Sequence, residues 1–384
     1  MQSRRHVLSL LAAAPLAPSL AACSSSELPD PAAGWRDPGA GESDPRRFAL
    51  AHAILAPNPH NTQPWQVELR GEDEMLLYCD LDRRLPFTDP LDRQITMGHG
   101  CFLEHFRIAA TQQGHAPAIT PFPDGEPSPR LDAGPLAHVR WNTMPPPAYD
   151  DPMFHQITAR RTNRNVYDVT RPPSAEDFDA LNSVVTNTGE EYPGAVFWAA
   201  DEAKVAALRD LTWRAFEREM QTVGALEETF QWLRFGRREI AEHRDGLGMT
   251  GAMMPLFKAL GLLSHDAMTD PNSTSNKSAL ADWRKKAESS PAFLWLTTTD
   301  DTPTSRLQAG RAYARLALTA QSLGLAIHPW SQALQEYEEM ADLYAEAKQT
   351  LNAGDQTVQM LVRIGYADPV EPAARRELAD FIRA

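Results

Sequence analysis

Two short segments concentrate side chains that could hold a ligand. The first is Ala56-Pro57-Asn58-Pro59-His60-Asn61-Thr62-Gln63-Pro64-Trp65, a polar loop stiffened by three prolines. Its amide side chains both donate and accept, which suits the edge of a planar heterocycle. The second is Thr158-Ala159-Arg160-Arg161-Thr162-Asn163-Arg164, with three arginines and two hydroxyls in seven residues. By composition that is a cradle for phosphate. Each segment also has a plainer reading. The loop could be a packed turn with Asn61 bonded to backbone, and the basic run a solvated charged face.

Other signals lead elsewhere. Gly246-Leu247-Gly248-Met249-Thr250-Gly251 has the glycine spacing of a dinucleotide fingerprint. However, the residues before it, Arg237 to Asp245, read as a charged helix, and the fingerprint needs a buried strand feeding its turn. His99, Cys101 and His105 include zinc-ligand types, but a helix leaves that set short of four ligands, so core packing is expected and no metal. No G-x-S-x-G, H-E-x-x-H or P-loop pattern occurs, which removes the motif-based case for hydrolase or NTPase chemistry.

The elements that must position these segments follow from periodicity. Apolar spacing predicts a helix from Pro45 that stops at Pro57, then strands over Trp65–Leu69 and Met75–Cys79. A longer amphipathic helix is expected over about Pro90–Gln113, ending at Gly114. Strands near Ala118–Pro121 and Leu136–Trp141 close this half, and Pro145-Pro146-Pro147 forms a stiff connector. Gly100 to Gly114 and Gly310 to Gly324 match in length and apolar positions at a constant offset of 210. Each is followed by a short strand, and the second half ends in another over Met360–Tyr366. The spacing points to a duplication, with halves over 46–147 and 148–384. Residues 203–290 have no counterpart in the first half; they begin as a helix and turn irregular from Gly246 to Asn276. An insertion of that size is commonly functional, here a candidate lid.

The N-terminus reads as an address. Arg4-Arg5 precede an apolar run from Leu8 to Ala22, interrupted by Pro15 and Pro18 and too short for the ~20 residues of a membrane span. The run closes on Leu20-Ala21-Ala22-Cys23, a lipobox-like sequence that makes Cys23 a candidate for acylation. Residues 1–22 are then a twin-arginine signal, 24–45 a flexible tether, and the protein an exported, periplasmic lipoprotein touching membrane only through its lipid. With 37 Lys and Arg against 51 Asp and Glu, the net charge of −14 makes nucleic acid an unfavourable partner.

Taken together, the loop and the basic segment resemble the flavin-binding fingerprint of the nitroreductase family. The resemblance covers most of residues 46–384, and it implies a role for each matched position. Arg160, Thr162 and Arg164 match positions that hold the phosphate and ribityl of FMN. Asn61 matches an isoalloxazine contact, and Gln63 lies in the same Q-P-W loop. Pro329, Trp330, Ser331 and Gln332 fall where the family's chain passes flavin N5. Arg363 to Ala367 resembles the last strand, followed by phosphate-contacting Arg375 and Arg376. Ordinary members are homodimers with composite sites. Here only the first half has Q-P-W and only the second the full basic motif, which resembles the fused, Acg-like branch. The implied fold is α+β, an internally duplicated pseudo-dimer, expected as a monomer with one FMN. The implied activity is ping-pong hydride transfer to a nitroaromatic or quinone-like acceptor from a donor the sequence does not name. The other expectation is a flavin-sequestering protein with little turnover.

Overall fold

The computed structural model describes residues 28–142, 151–186 and 192–383. The signal, Cys23 and the triple-proline connector lie outside these residues. In the first half the elements are α1 (Pro45–Ala53), β1 (Trp65–Arg70), β2 (Glu74–Cys79), α2 (Arg93–Gln112), β3 (Ala118–Pro121) and β4 (Ala137–Arg140). There follow α3 (Phe154–Ile157), α4 (Ala175–Thr186), β5 (Gly194–Ala199), α5 (Glu202–Gln221), α6 (Val223–Trp232), β6 (Leu233–Phe235), α7 (Gly236–His243) and β7 (Leu247–Met249). The chain continues with α8 (Met254–Ala259), α9 (His265–Thr269), α10 (Thr274–Glu288), β8 (Ala292–Thr298), α11 (Pro303–Ser322), β9 (Ala326–Pro329), α12 (Ala341–Thr350) and β10 (Thr357–Gly365).

The architecture is α+β. Two antiparallel four-stranded sheets run in the orders β1-β2-β4-β3 and β5-β8-β10-β9, and a short parallel pair joins β6 to β7. Every residue of β8 is buried, as its near-continuous apolar sequence requires of a central strand. Buried residues from α2, α11 and both large sheets belong to one hydrophobic cluster, so the core is continuous.

The two long helices α2 and α11 meet through glycine. A Cβ on Gly100 would stand 2.1 Å from the Leu307 carbonyl oxygen, and one on Gly310 would stand 2.0 Å from that of Met97. These are the two glycines that open the matched stretches, so the sequence repeat coincides with a backbone contact that only glycine permits. Cys101 donates its thiol to the Gly310 carbonyl at 3.1 Å. Around them Glu104 is buried and accepts from Arg107, Arg311 and Arg315, tying α2 to α11.

Three expectations need correction. The tether expected over 24–45 is docked from Pro31 onward, where its carbonyl accepts from the Arg375 N–H. Trp35 is buried, its indole donates to the Ala373 carbonyl at 2.7 Å, and Asp44 caps α1, because a tryptophan with a partner for its N–H is worth more inside than in water. The stretch expected to be irregular, Gly246–Asn276, contains β7, α8, α9 and the start of α10. Ser264 and Ser273 supply N-caps that short-range periodicity hides. The helix expected from Pro90 begins at Arg93, because buried Asp92 adopts a left-handed conformation and binds Arg84 and Arg130.

Candidate cofactor site

The loop 58–65 is held in costly backbone conformations. His60, Asn61 and Gln63 all have positive φ, 47°, 54° and 52°, although none is glycine. Non-glycine residues persist in this region only when their surroundings over-determine them. Those surroundings are explicit. Asn61 donates from Nδ2 to the carbonyls of Gly246 and Ala374 and accepts at Oδ1 from Arg375 at 2.7 Å. Gln63 is buried, donates to the Arg244 carbonyl at 2.9 Å and accepts from the Arg376 N–H at 3.0 Å. These amides therefore bind the loop to the α7–β7 turn and to the C-terminal segment. Both hydrogens of Asn61 are engaged, leaving it no free donor for a ring edge.

Arg375 closes the end of α1. Its guanidinium donates to the carbonyls of Ile54, Leu55 and Ala56, the three residues that leave the helix toward the loop. Beside it, Arg160 is 2% exposed, and its guanidinium makes one hydrogen bond, from Nη2 to the Leu55 carbonyl at 3.2 Å. Its Nε and Nη1 are buried with no partner. Burial first, then Arg161 beside it, pushes the Arg160 pKa down to about 10. Trp35 lies beneath the group, 4.5 Å from Arg161, 4.9 Å from Arg375 and 5.9 Å from Arg160.

Arg164 is exposed to solvent, and the protein packed around it lowers its pKa. His60 faces it. Burial, and then the Arg164 charge, lowers the His60 pKa to about 4, so its ring is neutral at pH 7, and its buried Nδ1 has no partner. The Tyr313 hydroxyl is likewise buried and unpartnered, with Arg160 and Arg164 close enough to act on its ionisation. Arg363 is buried between Tyr167 and Trp330, donates to His328 at 3.1 Å and has its pKa lowered to about 10, chiefly by burial.

Among the described residues, none of Arg160, Arg164, Arg363 and Arg375 has a carboxylate at ion-pair distance, although the chain is acidic overall. Buried cations without counter-ions, beside unpartnered buried donors, fit an anionic ligand. The donor set suits the phosphate end of a flavin mononucleotide. Thr162, half-buried and with no hydrogen bond among the described residues, offers a hydroxyl to the same ligand.

The segment after β9 divides between scaffold and site. Pro329 pairs with Val362, and Trp330 is buried against Phe216 and Trp283 and donates to the Thr212 carbonyl. The Ser331 hydroxyl donates to the Leu361 carbonyl and accepts from the Leu361 N–H. By contrast, the backbone N–H groups of Ser331 and Gln332 have no acceptor among the described residues. Any contact from Ser331 to a ring would therefore come from backbone. Arg376 has a buried, unpartnered Nη1 and lies over Phe381.

His60, Tyr313 and Trp35 were not among the expected site residues. His60 lies inside the loop singled out for its amides, so its position was a usable signal. Nothing local marks Tyr313 or Trp35. His99, Cys101 and His105 are buried on α2 in the core, and among the described residues no three His, Cys, Asp or Glu side chains are grouped so that they could hold a metal ion.

No family model matches the chain. Two proteins of Mycobacterium tuberculosis, both provisionally named NAD(P)H nitroreductases, are similar over most of its length. One is 27% identical over 344 residues, covering 88% of this chain and 90% of the relative. The other, called acg, is 26% identical over 357 residues, covering 88% and 95%. Among solved structures, the FMN-dependent nitroreductase NfnB from Mycobacterium smegmatis, in complex with NADPH, is 18% identical. It covers 60% of this chain and 96% of its own at a TM-score of 0.37.

Proposed function

We propose that this chain is an FMN-dependent oxidoreductase of nitroreductase type, with one flavin at the junction of two fused halves. The observation that carries the reading is the set of buried arginines, Arg160, Arg363 and Arg375 with exposed Arg164 beside them, that lacks carboxylate partners among the described residues. The names of the M. tuberculosis relatives support the same chemistry. Bound FMN would supply hydride transfer between a donor and an acceptor. The residues around it divide the remaining work. Arg160 and Arg164 bind phosphate and ribityl, with Thr162 adding a hydroxyl. The N–H groups of Ser331 and Gln332 polarise the ring edge. His60, neutral and unpartnered at Nδ1, accepts from or donates to the ligand beside Arg164. Asn61, Gln63 and Arg375 position the loop.

A single site per chain follows from the fate of the first half's own arginines. Arg46, the residue ahead of the Q-P-W loop, is engaged by Asp44 and by the carbonyls of Gly71 and Glu74, so it is not free to hold a second phosphate. One chain then contains both contributors to the site and works as a monomer. The acceptor class is nitroaromatic or quinone-like. The relatives' names point to NAD(P)H as donor. Export through the twin-arginine signal and anchoring at Cys23 would instead place the chain away from nicotinamide and favour a quinol or a redox protein.

One observation favours the alternative of flavin storage. The insertion grips the loop directly, through mutual hydrogen bonds between Asn61 and Gly246 and from Gln63 to Arg244, as a permanent cover would. The visible spectrum of purified protein, with FMN quantified per chain, tests the main reading: one FMN that is reduced and reoxidised by a quinone supports it. No flavin after reconstitution, or two per chain, overturns it, and bound flavin without turnover favours storage.

A further inference from the structure

We infer that the face formed by α8 and the turn after it docks on a phospholipid bilayer. Met253, Leu256 and Leu260 are 49%, 46% and 63% exposed within eight residues. No other stretch of ten described residues holds three large exposed apolar side chains. Such clusters on a folded surface mark contact with an apolar partner. The sequence of this stretch, Met253-Met254-Pro255-Leu256-Phe257-Lys258-Ala259-Leu260-Gly261-Leu262, is that of a short interfacial element, apolar with one lysine.

Two observations and one general principle select lipid as the occupant. The first is reach. Pro31 is fixed to the body by the Arg375 N–H at 2.9 Å, and the Arg375 side chain binds Asn61, which binds Gly246. Gly246 leads through β7 into α8, at most ~24 Å of chain from Met253, while Cys23 is eight residues, at most ~27 Å, from Pro31. A lipid on Cys23 and the α8 face can therefore meet the same surface. The second is charge. Residues 236–262 carry four basic side chains, Arg237, Arg238, Arg244 and Lys258, against three acidic ones, in a chain of net charge −14. Lys258 pairs with Glu239 and Arg244 with Glu377, so this rim is near neutral and approaches headgroups without the repulsion the remainder would meet. The third is that an acyl anchor is strengthened by a second membrane contact.

The inference rests on the lipoprotein reading of Cys23, and its test separates the two. Cys79 and Cys101 are buried, so a bimane label on Leu256→Cys in the lipid-anchored full chain marks one position. On phosphatidylcholine vesicles with a nitroxide on the acyl chain, fluorescence should fall at least twofold relative to nitroxide-free vesicles. Adding Leu260→Glu, an exposed change that spares the fold, should weaken that quenching. Protein that sediments with vesicles while the label stays bright overturns the docking face and leaves the anchor standing. Protein that does not sediment overturns the anchor. Free vesicles added to the labelled Leu256→Cys chain that also carries Cys23→Ser, so that no second accessible thiol takes the label, then decide the face alone, quenching supporting it and its absence overturning it.

Discussion

At the scale of single residues, the arginine cluster combines poor stability of the empty site with a strong preference for an anion. Arg160 is buried, keeps two nitrogens without partners and feels Arg161 and Arg375 as like charges. Removing an uncompensated buried cation relieves a desolvation cost. Arg160→Met should therefore leave the melting temperature of flavin-free protein unchanged or raise it. The same change removes a charge-assisted contact of about 1.5–3 kcal/mol, so FMN affinity should fall roughly tenfold to a hundredfold. Riboflavin, lacking phosphate, should lose much less affinity than FMN. Fluorescence titration and thermal melting check the pair of outcomes, and an Arg160 with only a structural role would lower the melting temperature and spare affinity.

At the scale of elements, the contact between α2 and α11 is the feature most exposed to substitution. Gly100→Ala places a methyl 2.1 Å from a carbonyl oxygen on the facing helix, so backbone has to move. The expected loss is about 3 kcal/mol, the upper end for overpacking, measured by denaturant unfolding. Glu104 in the same contact adds a pH dependence. Burial alone would raise its pKa, but Arg107, Arg311 and Arg315 hold it well below its ordinary value of 4.5. A carboxylate depressed by folding contributes stability above its unfolded pKa and loses it as pH falls through the folded one. Unfolding measured from pH 6 to 2 should show stability dropping below about pH 4.5, and Glu104→Gln, less stable at pH 7, should flatten that limb.

At the scale of the whole molecule, the insertion and the N-terminal address decide access. α5 packs behind the Ser331 turn, with Trp330 donating to Thr212, and the α7–β7 turn grips the Asn61 loop. If α8 and α9 cover the cleft, replacing residues 251–271 by a short Gly/Ser linker should speed dithionite reduction of bound FMN without releasing it. Stopped-flow absorbance reads both, and equal rates would place the cover elsewhere. Saturating FMN at a hundredfold excess over Kd should stabilise the protein by about 2.7 kcal/mol. For the address, Arg4→Lys with Arg5→Lys should retain flavin-loaded protein in the cytoplasm, whereas Cys23→Ser should release it from membranes; cell fractionation distinguishes the two.

The sequence by itself determined the strands at Trp65, Glu74 and Ala118 to within a residue or two and the two segments around the cluster, while the α+β class came from the resemblance those segments carry. The strands and segments follow from local periodicity and turn chemistry, which a chain displays in its order of residues. Residue type also marked Arg160 and Arg164 as phosphate candidates. What it could not display is which side chains remain free. Asn61 and Gln63 looked like ligand contacts, and the tertiary structure binds them to Gly246, Ala374, Arg244 and Arg376, residues more than 180 positions away. Trp35 lay in a stretch read as tether until Ala373 supplied its indole with a partner. His60 became a candidate only when Arg164 stood opposite and its Nδ1 had nothing to bind. Free bonding capacity is set by what the rest of the chain brings within about 3 Å, and only folding settles that.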